Sequence, residues 1–101
     1  MTTDQFTADR ERIVGEMCKA QPGRWWIADE FHELGNAVRA FEVLCEPRWQ
    51  KSWTTDGVWF AFEKKSGNQR YVKVRPTGNP AADVCRLICE VLDREAKEEG
   101  R

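Results

Sequence analysis

The sequence predicts an α+β protein: N-terminal helices, a three-stranded antiparallel meander, and a C-terminal helix packed on one face of the sheet. Three observations carry this expectation. The stretch from Trp49 to Arg75 alternates its side chains with a period of two around an Asp56-Gly57 turn. The segments on either side space their apolar residues at the helical period. At 101 residues, the chain is long enough to fold as one domain spanning 1–101 that buries about two-thirds of its surface.

The first helix is expected over 4–20, with Phe6, Ile13, Val14, Met17 and Cys18 inward and Arg10, Glu11, Arg12, Glu16 and Lys19 outward. Pro22-Gly23 ends it. Arg24 to Ile27 reads as a short extended piece, an extra edge strand. An apolar stripe then runs from 29 to 45 through Phe31, Leu34, Val38, Phe41, Leu44 and Cys45. Gly35-Asn36 interrupts it, as a tolerated defect or a helix–turn–helix joint, and Glu46-Pro47 stops it.

The meander is expected at about 48–55, 58–64 and 70–75. A two-residue turn at Asp56-Gly57 pairs Thr55 with Val58, Trp53 with Phe60 and Lys51 with Phe62. Val58, Phe60 and Phe62 then share the core face with Trp53. An odd-length loop through Ser66-Gly67-Asn68 brings Val72 and Val74 to the same face. It sets Trp59 opposite Arg75, Ala61 opposite Lys73 and Glu63 opposite Tyr71. The last helix is expected over about 80–97, with Asn79 as N-cap, Pro80 at the first helical position, and Val84, Leu87, Ile88, Val91 and Leu92 inward.

Charge is distributed unevenly. The net charge is −1, yet residues 48–75 carry seven Lys/Arg against two Asp/Glu, while 1–47 carry five against nine and 76–101 four against six. A basic sheet between acidic helices is a polarity that an anionic partner can use. The register above puts Trp59, Tyr71, Lys73 and Arg75 on one face with Ser52 and Thr54, and Lys64, Lys65 and Arg70 at its end. Aromatic faces stack on bases while Lys and Arg neutralise phosphate, so this face is the expected site at which a non-catalytic module contacts nucleic acid or a nucleoprotein complex. The alternative is a protein–protein adaptor or inhibitor that uses Trp25, Trp26, Glu30, Glu33 and Glu42 against a basic surface. For Trp25-Trp26 alone, the plainer expectation is that one is buried and the other caps a helix end. A helix over 37–46 would present Asn36, Arg39, Glu42 and Glu46, and two carboxylates are poor company for phosphate.

Other chemistry finds little footing. Asp29, His32 and Glu33 read as a solvated acidic face rather than metal ligands, since His32 is the only histidine. Cys85 and Cys89 lie one turn apart without a second Cys/His pair, so core packing is expected, with no cofactor or metal. No apolar run approaches the roughly 18 residues of a membrane span, and the N-terminus lacks a signal-peptide pattern. The expectation is a cytoplasmic protein with reduced thiols.

Three resemblances follow from these residues. Asp56 with Glu63-Lys64-Lys65 faintly resembles the Asp…Glu-x-Lys hairpin of metal-dependent nucleases, but Asp56 sits in the tight turn only seven residues before Glu63. The order helix, three strands, helix resembles double-stranded-RNA-binding domains, although Pro80-Ala81-Ala82-Asp83 lacks their lysine cluster. Val58 to Leu92 is similar in pattern to the three-stranded-sheet DNA-binding domains of plant and integrase-arm type. The last two imply a basic sheet face, backed by a helix, that holds a duplex.

Overall fold

The computed structural model describes residues 4–67 and 69–99. It has an α+β arrangement. Helix α1 (Gln5–Ala20) leads into a 3₁₀ turn (Ala28–His32) and helix α2 (Leu34–Leu44). Strands β1 (Trp49–Trp53), β2 (Trp59–Glu63) and β3 (Tyr71–Lys73) then form an antiparallel sheet of order β1-β2-β3, and helix α3 (Pro80–Glu99) closes the chain.

Helix α3 is the spine. Val84, Cys85, Leu87, Ile88, Cys89 and Val91 are all fully buried, a stripe wide enough to meet two layers at once. One side receives α1 and α2, and the other receives β2 and β3. Its start follows local chemistry. The Asn79 side chain accepts from the Ala82 amide at 3.3 Å, and the Asp83 carboxylate accepts from the Thr77 hydroxyl at 2.8 Å and its amide at 3.1 Å. Pro80 occupies the first helical position, where a missing N–H costs nothing.

The N-terminal half corrects three expectations. First, Arg10 faces inward rather than outward, together with Asp9. Both lie one turn before Ile13 on the buried side of α1. Asp9 is held by Gln5 at 2.8 Å and Arg86 of α3 at 3.3 Å. Arg10 reaches Asp29 at 3.7 Å and lies over the Phe6 ring. Cys18, expected inside, is exposed. Second, residues 24–27 form no strand, and the described sheet has three. Third, the break in the second helical stripe falls at Glu33, which is extended (φ −93°, ψ 132°), and not at Gly35-Asn36. Asn36 sits in the first turn of α2, and its amide donates to the Glu30 carbonyl at 2.9 Å, which also accepts from the Glu33 amide at 3.4 Å. Beyond it, Ala37, Ala40, Phe41 and Leu44 pack inward.

The larger correction concerns the central strand. The observed pairs are Trp53 with Trp59, Lys51 with Ala61 and Phe60 with Lys73. Each interface is thus one residue out of the expected register. The β1–β2 connection is a three-residue loop, Thr55-Asp56-Gly57, closed by the Thr54 amide on the Val58 carbonyl at 3.0 Å. Gly57 takes φ +86°, the left-handed position that such a loop requires and only glycine adopts cheaply. The β2–β3 connection is of even length, closed by the Glu63 amide on the Arg70 carbonyl at 2.9 Å. Asn68, expected in that turn, lies outside the described residues. β1 and β3 keep their expected inner sides, with Val72 and Val74 buried, but Trp53, expected in the core, is 61% exposed at the end of β1, and β2 is turned over. Trp59, Ala61 and Glu63 point to the core. Val58, Phe60 and Phe62 point away from it.

The thiols follow the packing. Cys45, Cys85 and Cys89 are buried, and burial is the main force raising all three thiols, Cys85 and Cys89 to about 12. Titration with a small aromatic disulfide at mildly alkaline pH should therefore label one thiol, Cys18, in the native protein and four in denaturant. Fast labelling of two or more native thiols would show that the α3 core is open.

Candidate nucleic-acid interface

The outer face of the sheet is open to solvent and forms a grid of three strands by three rows. Pairing sets Gln50, Phe62 and Tyr71 in one row and Ser52, Phe60 and Lys73 in the next. Continuing the ladder past the strand ends brings Thr54, Val58 and Arg75 into a third, with the Val74 amide donating to the Trp59 carbonyl at 3.2 Å.

Three aromatic rings cluster on this grid. The Phe60 and Phe62 rings lie nearly parallel (13°) with centroids 5.9 Å apart, since residues two apart on a strand share a face. The Tyr71 ring completes a triangle at 6.1 and 6.0 Å from them. Phe60 and Phe62 are half-buried, and Tyr71 is 51% exposed. The Tyr71 ring is tilted 56° and 44° to the Phe60 and Phe62 rings, and the three form a partly exposed apolar cluster.

Lys73 and Arg75 are exposed beside the rings. Among the described residues neither is in an ion pair or side-chain hydrogen bond, and no carboxylate stands on this grid. Of the other cations of the basic stretch, Lys64 is likewise outside the ion pairs but stands away from this grid, and the remaining four are engaged. Lys51 turns inward to Glu46 at 3.1 Å and Glu42 at 3.2 Å. Burial opposes its charge, yet those two hydrogen bonds hold its pKa above the usual lysine value. Lys65 meets Glu98 at 3.2 Å and Glu63 at 3.9 Å, and Arg70 meets Glu63 at 3.6 Å and also Glu98. The hydrogen bond from Lys65, with Arg70 beside it, keeps the Glu98 carboxyl below its ordinary value against desolvation. Arg48 is bound to Glu95 at 2.7 Å, and Glu95 also accepts from the Trp49 indole at 3.1 Å.

The pairs of Arg48, Lys65 and Arg70 with Glu63, Glu95 and Glu98 line a cleft of roughly 730 Å³ between the end of the sheet and α3. Lys65, Arg48 and Arg70 in it face glutamates, so most of its charge is satisfied from within. Of the expected site residues, the structure therefore places Tyr71, Lys73 and Arg75 together on the open face. Lys65 and Arg70 lie in the cleft, and Lys64 stands exposed at its rim. Trp59 is 7% exposed and packs inward, with Trp53 against it at 5.0 Å. It cannot stack on a base, because its face of β2 is the core face. Phe60 and Phe62 take its place.

The helical surface expected to meet a protein is also reshaped. Trp26 is buried, stacked on Phe31 at 5.6 Å with the Arg24 guanidinium 3.5 Å above its ring. Trp25 is 87% exposed, since successive side chains of an extended segment point opposite ways. Glu30 is tied to Arg24 at 2.7 Å and caps the Ile27 amide at 3.1 Å, and Glu42 is tied to Lys51, which leaves Glu33 exposed.

Asp29 faces Arg10, and His32 lies edge-on to Phe6 at 5.3 Å. Among the described residues no three His, Cys, Asp or Glu side chains come together to hold a metal ion. Asp56 is exposed in the hairpin loop, beyond the end of β2 opposite to Glu63, so the Asp…Glu-x-Lys grouping is not assembled. No described helix is long and apolar enough to cross a membrane. Comparison with protein-family models, with curated proteins and with solved structures finds no match to this chain.

Proposed function

We propose that this protein is a non-catalytic module that binds single-stranded nucleic acid on the open face of its sheet. The observation that carries the reading is the Phe60–Phe62–Tyr71 triangle beside Lys73 and Arg75, two cations without internal partners on a face that lacks carboxylates. Flat aromatic surfaces stack on bases of any identity, and free cations take up phosphate charge. A duplex keeps its base faces inside, so exposed rings suit a single strand. The acidic helices repel phosphate from the rest of the surface and favour approach from this side.

Fluorescence anisotropy with single-stranded DNA and RNA at low and high salt tests this. Lys73→Ala and Arg75→Ala should each weaken binding and flatten the plot of log affinity against log salt by about 0.7 per lost phosphate contact. Lys65→Ala should change that slope little, because its charge is already met by Glu98. Absence of low-salt binding to any single strand would overturn the proposal.

A protein partner is the second reading, favoured by one observation: the free indole of Trp25. It predicts loss of a pulled-down protein on Trp25→Ala, with nucleic-acid affinity absent from the start.

A further inference from the structure

The rings and the free cations of the open face repeat at a similar interval. Phe60 and Phe62 are two residues apart on β2, and their centroids lie 5.9 Å apart with planes within 13° of parallel. The Tyr71 centroid lies 6.1 and 6.0 Å from theirs, its ring tilted 56° and 44° to them. Lys73 and Arg75 are likewise two residues apart as β3 continues past its end, a rise of about 6.8 Å along an extended strand. Bases in a stacked strand are only about 3.4 Å apart. No two of these rings are therefore spaced to receive neighbouring bases of one stack. A base slotted between Phe60 and Phe62 would need about 6.8 Å, two stacking distances, and the pair is closer than that.

Resting on the single-strand reading above, we infer that the face holds its strand splayed, one base on Phe60 and the next on Phe62 with no stacking between them, and so favours thymine- or uracil-rich strands over runs of adenine. The phosphates beside these bases follow Lys73 and Arg75, whose interval is about twice the rise of a stacked strand. A strand that meets the rings and the cations together is drawn out to that interval. The ring contact itself is blind to base identity. What differs is the stacking that each strand gives up on binding. Adenines stack most strongly on one another, and thymine or uracil least, so an adenine run starts from a more stable free state. Its larger bases recover little of that on the protein. Each ring is a single six-membered ring, the size of a pyrimidine, and Phe60 and Phe62 are half-buried, so the second ring of a purine overhangs them.

Two measurements on the intact chain test this. The first follows the ultraviolet circular-dichroism couplet of a short adenine strand, which arises from coupling between stacked adenines. Saturating wild-type protein should reduce it by about half or more once the protein's own signal is subtracted. An unchanged couplet on a bound strand would overturn the inference and leave the stacking face standing, provided Lys73→Ala still flattens the salt slope. The second measurement compares affinities by anisotropy. Wild-type protein should bind a thymine strand, or a uracil strand in RNA, at least about 5-fold more tightly than an adenine strand of equal length. The gap should narrow on warming, as the free adenines unstack. The double variant Phe60→Ala/Phe62→Ala should bind more weakly, keep the wild-type salt slope and bring the two strands within about 2-fold. Equal or tighter wild-type binding of adenine would overturn the inference, as would a thymine preference that survives the double variant. The couplet is read on wild-type protein, so the first measurement decides the matter even if the double variant fails to fold. Absence of binding to every strand would remove the face and the inference together.

Discussion

Trp59→Ala should destabilise the protein by about 3–5 kcal/mol, while Phe60→Ala should cost only about 1 kcal/mol. The two residues are adjacent, both aromatic, and both on the central strand. They differ in which side of the sheet they occupy. Trp59 is almost wholly buried on the side that faces α3, and truncation there removes a large apolar surface and leaves a cavity. Phe60 is half-buried on the open side, so its loss removes only ring contacts with Phe62 and Tyr71. Urea unfolding followed by far-ultraviolet circular dichroism measures both on one scale. For a protein of this size the Trp59 variant should also melt more than about 10 °C below wild type. Equal destabilisation by the two substitutions would show that β2 is not turned over.

The second large effect is on binding. Phe60→Ala and Tyr71→Ala should each weaken single-strand affinity by about 1–3 kcal/mol, roughly 5- to 150-fold, because each ring offers a stacking surface that alanine cannot replace. The salt slope should be unchanged, since neither substitution removes a cation, and this separates stacking from the phosphate contacts of Lys73 and Arg75. Trp59→Phe, which keeps an aromatic in the core, should leave affinity as it is. If Trp59→Phe lost affinity while Phe60→Ala and Tyr71→Ala kept it, the stacking surface would lie on the other side of the sheet.

Local chemistry determined much of this molecule. The Asn79-Pro80 start of α3, the Pro22-Gly23 stop after α1, the Asp56-Gly57 hairpin and the antiparallel order of three strands are each written in a few neighbouring residues. So are the faces of β1 and β3. In β3, Tyr71, Lys73 and Arg75 alternate with Val72 and Val74, and only one side of such a strand can be buried. Hence Tyr71, Lys73 and Arg75 were legible as residues of the exposed face.

The central strand was not legible, for a definite reason. Trp-Phe-Ala-Phe is apolar on both sides, so period-two patterning gives no preference, and a one-residue change in either loop exchanges the faces. The three-residue loop that Gly57 allows and the even loop before β3 settle it. They place small Ala61 and the long Trp59 against α3 and put Phe60 and Phe62 outside. The charge pattern has the same limit. Seven cations lie between 48 and 75. Which of them remain available depends on Glu42, Glu46, Glu95 and Glu98, brought in by α2, the turn after it and α3. Sequence alone determined that this stretch is basic and aromatic. Only the tertiary structure decided that Lys73 and Arg75 are free and that the rings beside them are Phe60 and Phe62, because contacts between distant segments assign both.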